Sequence, residues 1–502
     1  MRSSVLAVFL LLAACGVSSA PESTATSTTS APGISPTADR PTLAQCQALR
    51  PARWLPGQGR AAAGAALRVV GIQYKQEVGY TRDYASYRTK MRCLMEEQVV
   101  PLMQPGLPTL VVYDEDIGLL TLAIGTRGLT VRAQAQTPLR APVGDSQPVS
   151  LLAALLELNA TYAPQIAAYQ LKFGFIPLRK EVFVGATDTL VRGFVQTFAD
   201  IARDYGVYVV ASATLPEYTV SRNPADIALF GDPDLQGLSE VYLAKSARVT
   251  NSTFLWGPQD LHPEAPTGET NLLFRNEKVP LTPFEQNDIG LDNGPSTGSA
   301  ALANANGYEV AGFHLGFATS LPAFAWGYPY GARPAGFQPC ANLYLTYISC
   351  MDALGVDVMI QAEANDGRWA ANVPGSWQPL QWMGSAWRSV NDPTAHFRYA
   401  INPMMTGNLL DLPFDGQSAI LARGEGQTTH YIGNTVFDPP TDQAQYQVYV
   451  GDQPGFVVLA PWVTGDADRA ALEANGAALA PGSGSALEND YLETAVWADL
   501  TH

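Results

Sequence analysis

The chain has 502 residues, 47% of them hydrophobic and 15% charged, with a formal net charge of −16 at pH 7. That composition excludes a disordered chain. The acidic balance, with no basic cluster to offset it, excludes nucleic acid as a partner, because holding phosphates takes Lys and Arg to displace counterions. A chain of this length accommodates two or three average domains or one large α/β domain.

Met1-Arg2 is a short positive start, followed by the apolar run VLAVFLLLAA and by Leu12-Ala13-Ala14-Cys15. The run has signal-peptide length and falls short of the roughly 20 residues a permanent membrane helix needs. It resembles a bacterial lipoprotein signal, and the resemblance implies cleavage before Cys15, lipidation of its sulfur, and a protein anchored on the extracytoplasmic face of the cell membrane. Residues 16–41 are rich in Ser, Thr, Ala and Pro with almost no large apolar groups, the composition of a flexible tether.

From there the chain alternates strand and helix. LRVVGIQY (67–74) is a buried strand, YASYRTKMRCLMEEQVVPLM is helical, and TLVVYDED (109–116) is a second buried strand ending in acids. VSLLAALLELNATYAPQIAAYQLKF is a long helical insertion, and TLVRGFVQTFADIARDYG is an amphipathic helix stopped by glycine before the strand VYVVASATL. SEVYLAKSARVTNSTFLWGPQ has the pattern of two strands in a hairpin, NEKVPLTPFE (276–285) follows, and VDVMIQAEAND is a later apolar strand. This order predicts an α/β fold. With no internal repeat and no inner linker, residues 42–502 read as one domain, with insertions near 118–185 and 286–339 and an extension after about 420.

Four cysteines follow Cys15. In an oxidising compartment the plain expectation is two bridges, one of them Cys46 with Cys93. For the other two, ten residues of straight helix would separate Cys340 from Cys350 by about 15 Å, against the roughly 7 Å a bridge tolerates. On that reading Cys340 is a free thiol at a helix N-terminus.

Reactive groups of open α/β sheets gather beyond the carboxyl ends of strands. Glu115, Lys278 and Cys340 lie at such places and form a set suited to thiol-based amide or nitrile hydrolysis: a carboxylate takes the thiol proton, the thiolate attacks, and an ammonium stabilises the charge that develops.

In order along the chain, LRVVGIQY with Gln73, LVVYDED with Glu115, VTNSTFLWGPQ, KVPLTPFE with Lys278 and Glu285, EANDGRW and GSWQPLQW resemble segments of the nitrilase, or carbon-nitrogen hydrolase, superfamily. The likeness is nearest to the nitrilase-like domain of apolipoprotein N-acyltransferases. It implies an αββα sandwich, a Glu115-Lys278-Cys340 triad with Glu285 holding Lys278 or orienting the leaving group, a small amide or nitrile as substrate, no cofactor and no metal, and pairing of two copies. The nucleophile has two competing registers. Counting from Cys340 puts Gly355-Val356-Asp357 and Asn365-Asp366 at the family's distances, but with Asn342 where an acid belongs. Taking YEVAGFHLGFA as the incoming strand instead puts Gly316 at the thiol's place and leaves no nucleophile. Hydrolase, N-acyltransferase-like enzyme and catalytically silent binding protein therefore all stay open.

Other constellations are weaker. GPSTG (294–298) offers Ser296 with His314, His396 or His430 as base, but no buried strand precedes it. The histidines lack zinc-site spacing. Trp369, Trp377, Trp382 and Trp387 suit either a pocket or a core.

Overall fold

The computed structural model describes residues 40–136, 149–370, 378–424, 426–429, 453–463 and 469–502. Cys15, most of the tether, Trp377 and His430 lie outside the described residues.

Two mixed sheets form the frame. The first holds β1 (Arg53–Trp54), β2 (Gln58–Arg60), β3 (Leu67–Gln73), β4 (Thr109–Val112), β5 (Tyr208–Ser221), β6 (Val241–Trp256), β7 (Leu272–Glu277) and β17 (Leu492–Leu500), in the order β1-β17-β3-β4-β5-β6-β7 with β2 on β17. The second holds β8 (Tyr308–Val310), β9 (Phe313–Phe317), β10 (Val358–Ile360), β11 (Tyr399–Asn402), β14 (Ala419–Ala422), β15 (Gln427–Thr429) and β16 (Gln453–Leu459), in the order β15-β16-β14-β11-β10-β9-β8. A small hairpin, β12 (Gly407–Leu409) with β13 (Leu412–Phe414), stands apart. Each sheet centres on three parallel strands, β3-β4-β5 and β9-β10-β11, flanked by antiparallel ones.

Alternation along the strands sets the layers, because successive side chains point to opposite faces. Val69, Leu110, Val112 and Val210 meet Leu315, Phe317, Val358 and Ile401 in one core between the sheets. Their sequence neighbours Val70, Val111 and Val209 face the helices Tyr84–Leu94 and Gln196–Tyr205 in a second core. On the far side Met359, Ala400 and Leu421 pack with the helices Leu343–Ala353 and Gly384–Asn391 in a third. The chain thus stacks helix, sheet, sheet and helix. Gln73 ties the sheets together: its Nε2 donates to Leu492 O (3.1 Å) and its Oε1 accepts from Ser418 N (2.9 Å).

Several expectations need correction. The segment after 420 is no appendage, because β17 inserts between β1 and β3. Residues 286–339 are not a simple insertion either, since they contain β8 and β9 of the second sheet. The supposed hairpin within 239–259 is one long strand, β6, which pairs with β5 across a bulge between Pro216 and Tyr218; its hairpin partner is β7. The helical stretch 149–173 breaks at Tyr162 into two helices, Val149–Thr161 and Ala163–Phe173.

Candidate active site

The strand ends bring three of the sequence-predicted residues together. Glu115 follows β4 and is 3% exposed; Lys278 follows β7 and is also 3% exposed. Lys278 Nζ donates to Glu115 Oε1 at 2.6 Å and to Glu285 at 3.0 Å. Asn251 of β6 bridges the same pair, its Nδ2 donating to Glu115 Oε1 and to Glu285 Oε1, both at 2.9 Å. The second oxygen of Glu115 accepts from Ala364 N (3.1 Å), and that of Glu285 from Thr282 N (2.8 Å) and Thr282 Oγ1 (2.9 Å). Asn251 was missed in the sequence, where it stands in the polar run Thr250-Asn251-Ser252-Thr253 with nothing to single it out.

One ammonium between two buried carboxylates sets the protonation pattern. Burial alone would lower the Lys278 pKa, but Glu115 and Glu285 outweigh it and hold the ammonium above its ordinary value. Burial pushes Glu115 up, against the pull of Lys278, and the negative Glu285 adds to the rise. Glu285 goes the other way: burial is outweighed by Lys278 and by the hydrogen bonds from Lys278, Asn251 and Thr282, so it stays a carboxylate. Neighbouring Asp116, at φ 55°, is raised to about 8 by burial and by Glu115 and Glu285. It therefore keeps its proton at neutral pH. The arrangement gives one fixed cation, one fixed anion, and one carboxylate poised to exchange a proton.

Cys340 is not part of this cluster, and the free-thiol reading is corrected. Cys340 and Cys350 are joined by a disulfide, with Cα atoms 4.6 Å apart. The straight-helix estimate failed because Cys340 lies outside the helix, which begins at Leu343, and because the helix itself kinks at Thr346 (φ −132°, ψ 24°). Asn342 does not stand in for a catalytic acid; it caps that helix, its side chain accepting from Tyr344 N. Cys46 and Cys93 form the other disulfide, fixing the Leu43–Ala48 helix to the Tyr84–Leu94 helix.

The incoming strand is β9, and it does not stop at Gly316. Gly316 pairs with Met359 inside the sheet, and a Cβ there would meet Met351 at 2.5 Å and Val356 at 2.8 Å, so the position faces packed side chains. The ladder continues past the strand: Ala318 N donates to Ile360 O (2.8 Å) and Ser320 N to Ala362 O (3.0 Å). At Ser320 the backbone turns sharply, with φ 60° and ψ −122°, and leads into the short 3-10 helix Leu321–Phe324. A non-glycine residue in this region is strained by roughly 1–3 kcal/mol. Strand, strained serine, helix is the geometry that presents a nucleophile above a sheet. Ser320 was missed because its signal, a Thr-Ser pair after an apolar strand, is common.

Ser320, Glu115, Lys278 and Glu285 line one cavity of about 400 Å³, together with Asp116, Asn365, Asp366 and Trp382. That volume suits a small-molecule site, commonly some 300–1,000 Å³. Trp369 and Trp387 belong to the outer core instead. Ser296 sits outside any strand, where its carbonyl accepts from Leu343 N. His314 bonds to backbone carbonyls, and His396 lies beside Asp352 with its side chain largely exposed. None of these lines the cavity.

No family model matches the chain, and no curated protein matches it in sequence. Among solved structures, an amidase from Nesterenkonia sp. AN1, carrying acrylamide added at its active-site cysteine, is similar at a TM-score of 0.34 and 13% identity, over 71% of this chain and 85% of that one. A cysteine-to-alanine form of the same amidase, described as of the nitrilase superfamily, is similar at a TM-score of 0.32 and 14% identity, over 72% and 84%. Likeness of this degree assigns neither a family nor an activity.

Proposed function

We propose that the chain is an amidase-like carbon-nitrogen hydrolase on a nitrilase-type αββα sandwich, in which Ser320 takes the nucleophile's place. The observation that carries this reading is the strained turn of Ser320 opening into the same cavity as the Glu115-Lys278-Glu285 cluster.

Ser320 Oγ attacks the carbonyl carbon while its proton passes to Glu115. The carbonyl oxygen becomes an oxyanion opposite the Lys278 ammonium, whose charge Glu285 fixes in place. Collapse breaks the carbon-nitrogen bond, and the leaving amine takes the proton back from Glu115. An ester of Ser320 remains. Water then attacks that ester, giving its proton to Glu115, and the proton returns to Ser320 Oγ as the acid leaves. Asp116, protonated at neutral pH, adds no further negative charge near the oxyanion.

A lipid anchor on the extracytoplasmic face belongs to the same proposal. It is supported by Leu12-Ala13-Ala14-Cys15 and by two disulfides, which suit an oxidising compartment. A second reading, a silent binding protein that keeps the scaffold, is favoured by the oxidised state of Cys340. Incubating the protein with a panel of primary and anilide amides, with and without an added amine, separates these readings. Release of free acid supports hydrolysis, transfer to the amine indicates an acyltransferase, and no turnover of any amide supports the silent scaffold.

A further inference from the structure

Most of the wall of the cavity is hydrocarbon. Leu151 and Leu155 come from the Val149–Thr161 helix, Ile289 and Leu291 from the turn after Glu285, and Leu409 and Phe414 from the β12-β13 hairpin. Of the polar lining groups, Glu115, Lys278 and Glu285 form a bonded cluster with Asn251, Ser320 N is bonded to Ala362 of the segment that reaches Glu115 through Ala364, and Asp116 is bonded to Thr214. A substrate with a one- or two-carbon acyl group would engage that cluster and leave the rest of the wall in contact with water, which gains nothing from apolar surface.

A second observation lies just outside. Arg179 Nη1 donates to Asp288 O (2.9 Å), and Lys180 pairs with Asp292, so the loop after the Ala163–Phe173 helix is fastened to the segment that supplies Ile289 and Leu291. On this loop and helix end, Leu171, Phe175 and Leu178 are 91%, 88% and 58% exposed. Large apolar side chains this exposed within one short stretch of chain, residues 171–178, mark a contact surface more often than bare solvent-facing chain.

We infer that the site takes an amphiphilic amide whose acyl part is an extended hydrocarbon chain, lodged along the Leu151, Leu155, Leu409 and Phe414 wall with its carbonyl at Ser320. The apolar residues around Phe175 form the border that the chain crosses on entry. The inference rests on the proposed function for the fate of the carbonyl, but not for binding of the chain.

The test uses the Ser320→Ala form of the full chain, so that binding is read without turnover, and titrates it with acetamide, butyramide and octanamide. Affinity should rise roughly threefold for each methylene buried, placing octanamide at least a hundredfold tighter than acetamide. Filling the wall by Leu155→Trp should cut the octanamide-to-acetamide ratio at least tenfold. Leu409→Trp provides the same reading should the first variant fail to fold. Equal affinity for the three amides, or an unchanged ratio in a folded wall variant, overturns the inference. If octanamide binds with this preference while the unaltered protein hydrolyses no amide, the catalytic reading fails and the chain-binding cavity stands. If acetamide and octanamide are hydrolysed equally well and bind equally, the catalytic reading stands and this inference fails.

Discussion

Ser320 and Cys340 are two candidate nucleophiles in the same stretch of chain, and the fold treats them in opposite ways. Ser320 leaves the carboxyl end of β9, held at positive φ, and lines the cavity that contains Glu115 and Lys278. Cys340 precedes the Leu343–Ala353 helix on the outer face of the second sheet, packs against that core, and is bonded to Cys350. A thiol is intrinsically the better nucleophile. A sulfur already bonded to sulfur, away from the strand ends, has no thiolate to offer. Position at the sheet therefore weighs against residue type: a modest hydroxyl lining the same cavity as a carboxylate and an ammonium is better placed than a sulfur used as a staple.

The sharpest way to break this contrast is Ser320→Ala. Loss of the attacking oxygen should lower kcat by about 10⁴-fold or more, measured on whichever amide the unaltered protein turns over, with unfolding midpoint unchanged. Lys278→Met should come next. Removing the cation leaves two carboxylates facing each other in a buried site, and breaking a buried ion pair in this way costs about 3–5 kcal/mol, read from the urea midpoint. Activity should vanish with it. On the other side of the contrast, Cys340→Ala combined with Cys350→Ala should leave kcat within about twofold. It should cost about 2–3 kcal/mol of stability, the loop-closure value for a short bridge.

The smallest effect is in pH. In the proposed mechanism Glu115 is ionised to take the Ser320 proton, and burial raises its pKa, so the active form is lost at a higher pH than a free glutamate would require as acid is added. Below that point kcat/KM should fall tenfold per pH unit, with a midpoint above the ordinary value of about 4.3.

Much of the frame was legible in the sequence because its strands are short apolar runs ending in polar residues. Glu115 and Lys278 could be picked out for that reason and Glu285 through the resemblance carried by KVPLTPFE, and the three do meet. What escaped depends on distant pairing. β17 joins β3 across almost the whole chain, and no local pattern announces such a partner. The exposed Lys245 and Ser246 imitate a turn inside β6, whereas they belong to a bulge of β6 itself, where residues 245–248 lie between the pairs Ala244-Tyr218 and Val249-Pro216. Cys340 misled because a helix was assumed to be straight and to include it; the kink at Thr346 was not written in any proline or glycine. Ser320 escaped because strain at one residue is a property of the folded backbone. Only the continued ladder from β9 to β10 shows that the strand's effective end is four residues beyond Gly316.

The most direct test is to treat the unaltered, oxidised protein with a serine-directed fluorophosphonate and locate the adduct by peptide mass mapping. The account predicts one adduct, on Ser320, formed with Cys340 and Cys350 still bridged and greatly slowed by Glu115→Gln. Amide turnover that survives Ser320→Ala, or turnover that appears only after the Cys340-Cys350 bridge is reduced and is abolished by Cys340→Ala, would contradict it.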